Sequence, residues 1–304
     1  MTTVVMMSWM ALVAQPRLAA GQTTTLFAQA TSRPADRAVE RAELAHACRR
    51  TSEALRGKLG PGHPIAVDPP FVLAGDLPND RLARYGRGVV RHAAEAMWRR
   101  YFDKRPTDPI TILLFRSEKS YRDHAKRLYG DVEVAYYGYY KPDIRTLLMN
   151  ISTGGGTLIH ELTHALIAYD FPNVPEWFNE GLASLHEQCN SEAWKRRELV
   201  GDVNWRLPAL QAAIASKRLR PLRDLMTADD FRGPQETLNY AQARYFCMYL
   251  QKRGALAQFY KAFRGGYADD PTGLSHVEEV LGRRRIEAIE QEFLAWVVQL
   301  HCQP

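Results

Sequence analysis

The chain contains the segment Thr157-Leu158-Ile159-His160-Glu161-Leu162-Thr163-His164-Ala165-Leu166-Ile167. Apolar residues occupy almost every side of the helix that this segment would form, so the pattern predicts a helix buried inside the protein. Two histidines and a glutamate nevertheless lie within it. Because such groups are costly to bury without a partner, the segment also predicts a ligand that compensates them.

The spacing of the histidines indicates which ligand this is. His160 and His164 are separated by one helical turn, so both imidazoles lie on the same face and can bind a single cation. Glu161 points to one side of that face, where it could take a proton from a water molecule on the cation. The arrangement H-E-x-x-H is informative because each of its residues has a separate task.

A second motif, Pro175-Glu176-Trp177-Phe178-Asn179-Glu180-Gly181-Leu182-Ala183, follows the first. The residues between His164 and Glu180 are enough to end the first helix, turn at 171–175 and run a second helix back alongside it. Glu180 would then face the two histidines. Three protein ligands with an open fourth position form a catalytic zinc site. The sequence therefore predicts Zn²⁺ on His160, His164 and Glu180.

These two motifs resemble those of the gluzincin metallopeptidases, most closely the small bacterial peptidase MA-like group, over about residues 70–300. The resemblance implies a thermolysin-like two-lobe fold, zinc on the same three ligands and Glu161 as general base. It also implies a Tyr or His, well after the third ligand, that stabilises the oxyanion. Tyr240 is the first candidate for this role and Tyr245 the second.

The chain departs from two related patterns. It has no G-x-M-E-N segment, which removes support for aminopeptidase activity, and no third histidine shortly after His164, as metzincins have. On the second helix, Ser184 and Glu187 lie one and two turns after Glu180, so either could orient a ligand histidine. His186 is the only other histidine close to the ligands in sequence.

Near residue 190 the chain changes from mixed strand and helix patterns to helical patterns. This change predicts an α+β fold with a small mixed sheet and a mostly helical C-terminal lobe. Ile110–Phe115 is the clearest strand, and its continuous apolar run is typical of a sheet centre. A hairpin at 135–149 should precede the metal helix directly. The expected regions are a helical extension at 31–66, an α/β lobe carrying the zinc helices at 67–190 and a helical lobe at 191–304.

Residues 1–30 predict a signal peptide or an N-terminal anchor. Val4 to Ala14 form an apolar run whose length suits a signal-peptide core but not a membrane span. No Lys or Arg precedes Arg17, which leaves a non-cleaved anchor open. We therefore expect a secreted or periplasmic protein with no stable membrane span beyond this segment.

The net charge of +6 is modest, and no groove pattern of aromatic and basic residues accompanies it. The expected partner is a peptide or protein substrate, not a nucleic acid. The cysteines permit two disulfides with three connectivities, or buried free thiols, and the sequence leaves both open. They are Cys48, Cys189, Cys247 and Cys302.

Together these features predict a secreted zinc peptidase, expected to be an endopeptidase, that uses metal-activated water. The alternative is a catalytically inactive, metal-bearing binding or scaffolding protein on a protease-like fold. Glu161 argues against that alternative because zinc binding alone does not need it. A third interpretation, hydrolysis of a non-peptide amide such as cell-wall material, uses the same residues.

Overall fold

A computed structural model describes residues 34–135 and 137–301. The predicted signal peptide or anchor at 1–30, Tyr136 and Cys302 lie outside the described residues, so predictions about them stay untested. Within the described part of the chain, no helix combines the length and apolar character needed to cross a membrane.

The protein is α+β, as predicted, with one five-stranded sheet in its N-terminal half. The strands are β1 (Ile65–Asp68), β2 (Phe71–Gly75), β3 (Ile110–Phe115), β4 (Gly138–Lys141) and β5 (Thr146–Asn150). The helices up to the second motif are α1 (Pro34–Leu59), α2 (Asn79–Tyr85), α3 (His92–Arg100), α4 (Glu118–Tyr129), α5 (Gly155–Asp170) and α6 (Glu176–Glu187). The later helices are α7 (Ser191–Lys195), α8 (Leu207–Ala215), α9 (Leu222–Thr227), α10 (Glu236–Lys252), α11 (Leu256–Gly266), α12 (Leu274–Val280) and α13 (Ile286–Val298).

The strand order is β1-β2-β3-β5-β4, which confirms both the mixed sheet and the central position predicted for Ile110–Phe115. β3 is parallel to β2 and β5, whereas the edge strands β1 and β4 are antiparallel to their neighbours. Alternate residues of β3 belong to two different cores because side chains alternate across a strand. Ile112 packs with α3 and α5, and Leu113 packs with α1 and α4.

Helix α1 lies on the sheet face opposite the metal helix. Cys48, Leu55 and Leu59 pack there against Val72 and Ala74 of β2. Helix α1 therefore packs on the side of the sheet away from His160.

Several predicted boundaries differ from the observed ones. The hairpin strands begin later than expected, and a 3₁₀ turn at Pro142–Ile144 joins them. The helical segment that begins after Pro78 has no side-chain cap, contains a π-helical stretch at Gly86–Arg91 and ends at Arg100. β1 was not predicted because its residues are only partly buried and show no strong alternation.

The three cysteines within the described ranges are free thiols, so the two-disulfide alternative is wrong. Cys48 lies in the core between α1 and the sheet, whereas Cys247 lies on the C-terminal helix α10. Burial raises the pKa of Cys48 to about 11 and that of Cys189 to about 12. Both thiols therefore stay protonated near neutral pH.

The end of the metal helix is tied to the C-terminal helices through Asp170, a buried carboxylate. Arg264 Nη1 donates to both carboxylate oxygens, at 2.7 and 2.6 Å, and the Tyr260 hydroxyl donates at 2.9 Å. The backbone N–H groups of Asp103 and Lys104 donate as well, at 2.9 and 2.7 Å. Asp170 thereby joins α5 to α11 and to the loop after α3.

We expect Asp170→Asn to lower the free energy of unfolding by about 3 kcal/mol, because it removes one member of a buried ion pair and turns an amide N–H toward a donor. Urea denaturation followed by circular dichroism measures the change. Asp123→Asn is the control, since Asp123 pairs only with Lys119 on the exposed face of α4 and should leave the midpoint unchanged. Equal midpoints for both variants would mean that the Asp170 network does not stabilise the fold.

Candidate metal centre

Helices α5 and α6 approach each other closely at the first turn of α5. A Cβ atom at Gly156 would lie 2.3 Å from the backbone oxygen of Glu187, a distance that the backbone cannot accommodate. Gly156 therefore permits tight packing, which brings the C-terminal end of α6 beside His160.

On the other side of α6, Gly181 has a similar role. A Cβ atom there would meet the backbone oxygen of Ala243 and the Sγ atom of Cys247, both at 2.9 Å. Helix α6 is therefore packed tightly between α5 and α10, with Glu180 on the side that faces α5. The glycine of the second motif is needed because the helix backbones approach too closely for a side chain.

The three predicted ligand side chains converge on one point. The Nε2 atoms of His160 and His164 are 3.0 Å apart. Glu180 Oε2 lies 3.3 Å from the first of these atoms and 3.4 Å from the second. His160 and Glu180 are buried, and His164 is nearly so. The described residues thus contain a group that could hold a metal ion.

The opposite nitrogen of each imidazole faces an acceptor. His164 Nδ1 lies 2.9 Å from Asn179 Oδ1, and His160 Nδ1 lies 2.9 Å from Glu187 Oε1. Each Nδ1 therefore carries the proton in the neutral ring, which leaves a lone pair on Nε2. Glu187 is held in turn by an ion pair with Arg206.

In the neutral tautomers, the lone pairs of His160 Nε2, His164 Nε2 and Glu180 Oε2 therefore face one another. Glu180 Oε2 is buried and has no hydrogen-bond partner among the described residues, so a positive charge at the centre would relieve the repulsion between the three donor atoms. Donors about 2.1 Å from a tetrahedral ion lie about 3.4 Å from one another. The observed separations of 3.0 to 3.4 Å fit that geometry.

The electrostatic environment favours a positive charge at this point. Burial alone favours the neutral forms of His160 and Glu180, but the contacts between them outweigh it, so that the pKa of His160 is raised and that of Glu180 is lowered. Glu187 likewise has its pKa lowered to about 2, since its contacts with His160 and Arg206 outweigh its burial. Without a metal ion, a proton on His160 supplies the positive charge.

The metal-facing atoms open into a cavity of about 540 Å³, which Glu161 also lines. Among the described residues, Glu161 makes no hydrogen bond or ion pair. The edge strand β4 contributes Tyr139 and Tyr140 to the lining. The apolar part of the lining includes Ile167, Ala168, Phe171, Pro172 and Val174.

The two candidate tyrosines have different surroundings. Tyr240 lines the cavity, and burial together with the negative charge of Glu180 raises its pKa above the usual value, which keeps its hydroxyl protonated. Tyr245 is fully buried elsewhere: its hydroxyl accepts from Asn204 N at 3.0 Å and donates to Asn204 O at 3.2 Å. Tyr245 was therefore a wrong candidate, because it lies outside the cavity.

Of the predicted orienting residues, Glu187 contacts a ligand histidine and Ser184 does not, since the Ser184 hydroxyl is buried without a described partner. His186 is fully buried, and burial beside Arg244 and Arg100 lowers its pKa to about 3, so it is a neutral core residue.

Sequence reasoning missed Asn179, Arg206 and Arg232. Asn179 was the easiest of these to find, because it lies inside the second motif. The other two come from loops that approach the site only in the folded chain.

The comparisons with known proteins yield no relative: no protein-family model matches the chain, and no curated protein matches it. The resemblance to gluzincins therefore remains a prediction based on the two motifs.

We expect the affinity for zinc to rise about tenfold per pH unit between about pH 6 and about pH 8, because the metal must displace the proton that the raised pKa keeps on His160. Isothermal titration in buffers of different ionisation enthalpy measures both the affinity and the protons released. If His160 had the usual histidine pKa of 6.5, the zinc affinity would stop rising with pH above about pH 6.5. Levelling off near pH 6.5 would contradict the expected effect of Glu180 and Glu187.

Proposed function

We propose that the protein is a zinc-dependent peptidase of the gluzincin type, with a thermolysin-like two-lobe arrangement around the metal centre. The observation that carries the proposal is the spacing of two imidazole nitrogens and one carboxylate oxygen as three corners of a tetrahedron, beside Glu161 and an open cavity. His160, His164 and Glu180 all line that cavity, so an ion held by them would be accessible to water and substrate. A structural zinc site would instead be closed by a fourth protein ligand.

The donor atoms support zinc as the metal. Two imidazole nitrogens and one carboxylate oxygen are a common ligand set of catalytic zinc, whereas calcium and magnesium prefer oxygen donors throughout. The contacts of the Nδ1 atoms with Asn179 and Glu187 favour the tautomer that presents Nε2 of each ring to the ion. A zinc ion held there would supply Lewis acidity for the activation of water.

In this proposal Glu161 is the general base. It accepts a proton from the attacking water and delivers it to the leaving amine of the cleaved peptide bond. Tyr240 donates its hydroxyl hydrogen to the oxygen of the scissile carbonyl as negative charge develops there. Tyr240 lines the same cavity as His160, Glu161 and Glu180, which supports this role.

The shape of the cavity supports an extended peptide as substrate. β4 pairs with β5 on one side only and forms an edge of the sheet beside the metal centre. Such an edge can bind an extended chain through its backbone groups. The apolar end formed around Phe171 and Val174 suits an apolar side chain of the substrate. Secretion of the protein belongs to the same proposal and depends on the segment at 1–30.

The purified protein should hydrolyse an unstructured protein, and a chelator should abolish the activity. Glu161→Gln should lower kcat by about a hundredfold or more, because the amide cannot accept the water proton. Rates are measured with a peptide library read by mass spectrometry, and zinc content is measured on the same samples.

The outcomes separate the alternatives. Glu161→Gln should bind as much zinc as the natural protein, since Glu161 is not a metal ligand. Unchanged turnover in this variant would overturn the mechanism. Stoichiometric zinc without cleavage of any peptide in the library would favour a binding or scaffolding protein, and turnover of cell-wall amides alone would favour a non-peptide substrate.

Tyr240→Phe should lower kcat by about a hundredfold with little change in KM, because the lost hydrogen bond forms mainly in the transition state. Steady-state kinetics on one peptide substrate measures both constants. Tyr245→Phe is the matched control on the same helix, since its hydroxyl lies outside the cavity, and its kcat should equal that of the natural protein. Equal kcat values for the two variants would remove Tyr240 from the mechanism.

A further inference from the structure

Arg232 reaches the metal centre from the loop between α9 and α10. Its Nη2 atom lies 2.5 Å from Glu180 Oε1, and its Nε atom lies 2.6 Å from Glu176 Oε1. The remaining nitrogen, Nη1, lies 3.6 Å from a carboxylate oxygen of Glu236. Every nitrogen of the guanidinium therefore faces a carboxylate, and the group is held in a defined orientation.

The two oxygens of Glu180 are consequently assigned to different partners. Oε1 accepts a hydrogen bond from Arg232, whereas Oε2 faces the Nε2 atoms of His160 and His164. A carboxylate can bind a metal through one oxygen or through both. With Oε1 engaged by the guanidinium, only Oε2 remains for the ion.

We propose that Arg232 is a positioning residue that restricts Glu180 to a single ligand oxygen and withdraws part of its negative charge. This inference rests on the metal centre of the proposed function. The consequence is a four-coordinate site whose fourth position stays open to the cavity, around an ion that retains more of its positive charge. Both effects favour activation of water over tight retention of the metal.

The surroundings of the pair distinguish this role from a structural one. The side chain of Arg232 is 52% exposed, and ion pairs at that exposure contribute little to stability. The side chain of Glu180 is 5% exposed, so the same contact acts on a buried carboxylate. The guanidinium therefore affects mainly the electrostatics of the metal ligand.

Arg232→Met should raise the affinity of the site for zinc. The variant removes a cation near the metal, returns charge to Glu180 and leaves that buried carboxylate without its partner in the metal-free protein. All three changes favour binding of a cation. We expect the variant to bind zinc about tenfold more tightly than the natural protein, whereas loss of a merely structural support would weaken binding.

The coordination number is measured with Co²⁺ in place of zinc, because its visible absorption is intense in four-coordinate sites and weaker in five-coordinate ones. The natural protein should give the four-coordinate spectrum. Arg232→Met should give a weaker absorption as Glu180 Oε1 also binds the ion. Competition with a chromophoric chelator measures the zinc affinity of the same preparations.

The controls separate the role of Arg232 from general effects on the loop. Arg220→Met removes another arginine–carboxylate pair of the same region, formed with Asp230, and should leave both readouts unchanged. Glu176→Gln loosens Arg232 without removing it and should shift both readouts in the same direction by less. This second variant keeps the test decisive if Arg232→Met does not fold.

Weaker zinc binding, or an unchanged cobalt spectrum, in Arg232→Met would overturn the inference. Neither the zinc affinity nor the cobalt spectrum depends on turnover. A natural protein that binds zinc but cleaves no peptide would contradict the proposed peptidase activity. The zinc affinity and cobalt spectrum of Arg232→Met would still decide the role of Arg232. A natural protein that binds no zinc contradicts both.

Discussion

The metal centre depends on the close packing of α6 between α5 and α10. Gly156 and Gly181 make it possible, because a side chain at either position would collide with the neighbouring helix backbone. The packing aligns Glu180 with the histidine face of α5 and places Glu187 beside His160. Since interiors are close-packed, a small displacement of α6 would separate donor atoms that now lie 3.0 to 3.4 Å apart.

The charged side chains around the site form two connected chains. Arg206 contacts Glu187, which contacts His160, and Arg232 contacts Glu180, which faces both imidazoles. Each carboxylate thus has an arginine on its outer side. This pairing explains how the buried carboxylate of Glu180 and the partly buried carboxylate of Glu187 lie close together, because charges removed from water are tolerated only when they are paired.

Much of the fold follows from local patterns that the chain itself displays. The apolar run at Ile110–Phe115 predicts the central strand, and the two motifs predict the helices that carry the ligands. Boundaries were less predictable, since Pro78 and the π-helical stretch at Gly86–Arg91 act through backbone geometry that residue periodicity does not express. Tyr240 lines the cavity and Tyr245 does not, because the packing of α10 decides which of the two tyrosines faces it.

The sequence by itself determined which three side chains could hold a metal ion, because the one-turn spacing of His160 and His164 is a property of any helix and the short connection lets Glu180 return alongside it. The tertiary structure alone decided how those ligands are held. Arg206 and Arg232 are distant in sequence from the histidines and reach the site only when loops of the helical region pack against α6. Long-range contacts of this kind leave no periodic pattern in the chain, so they become visible only in the folded protein.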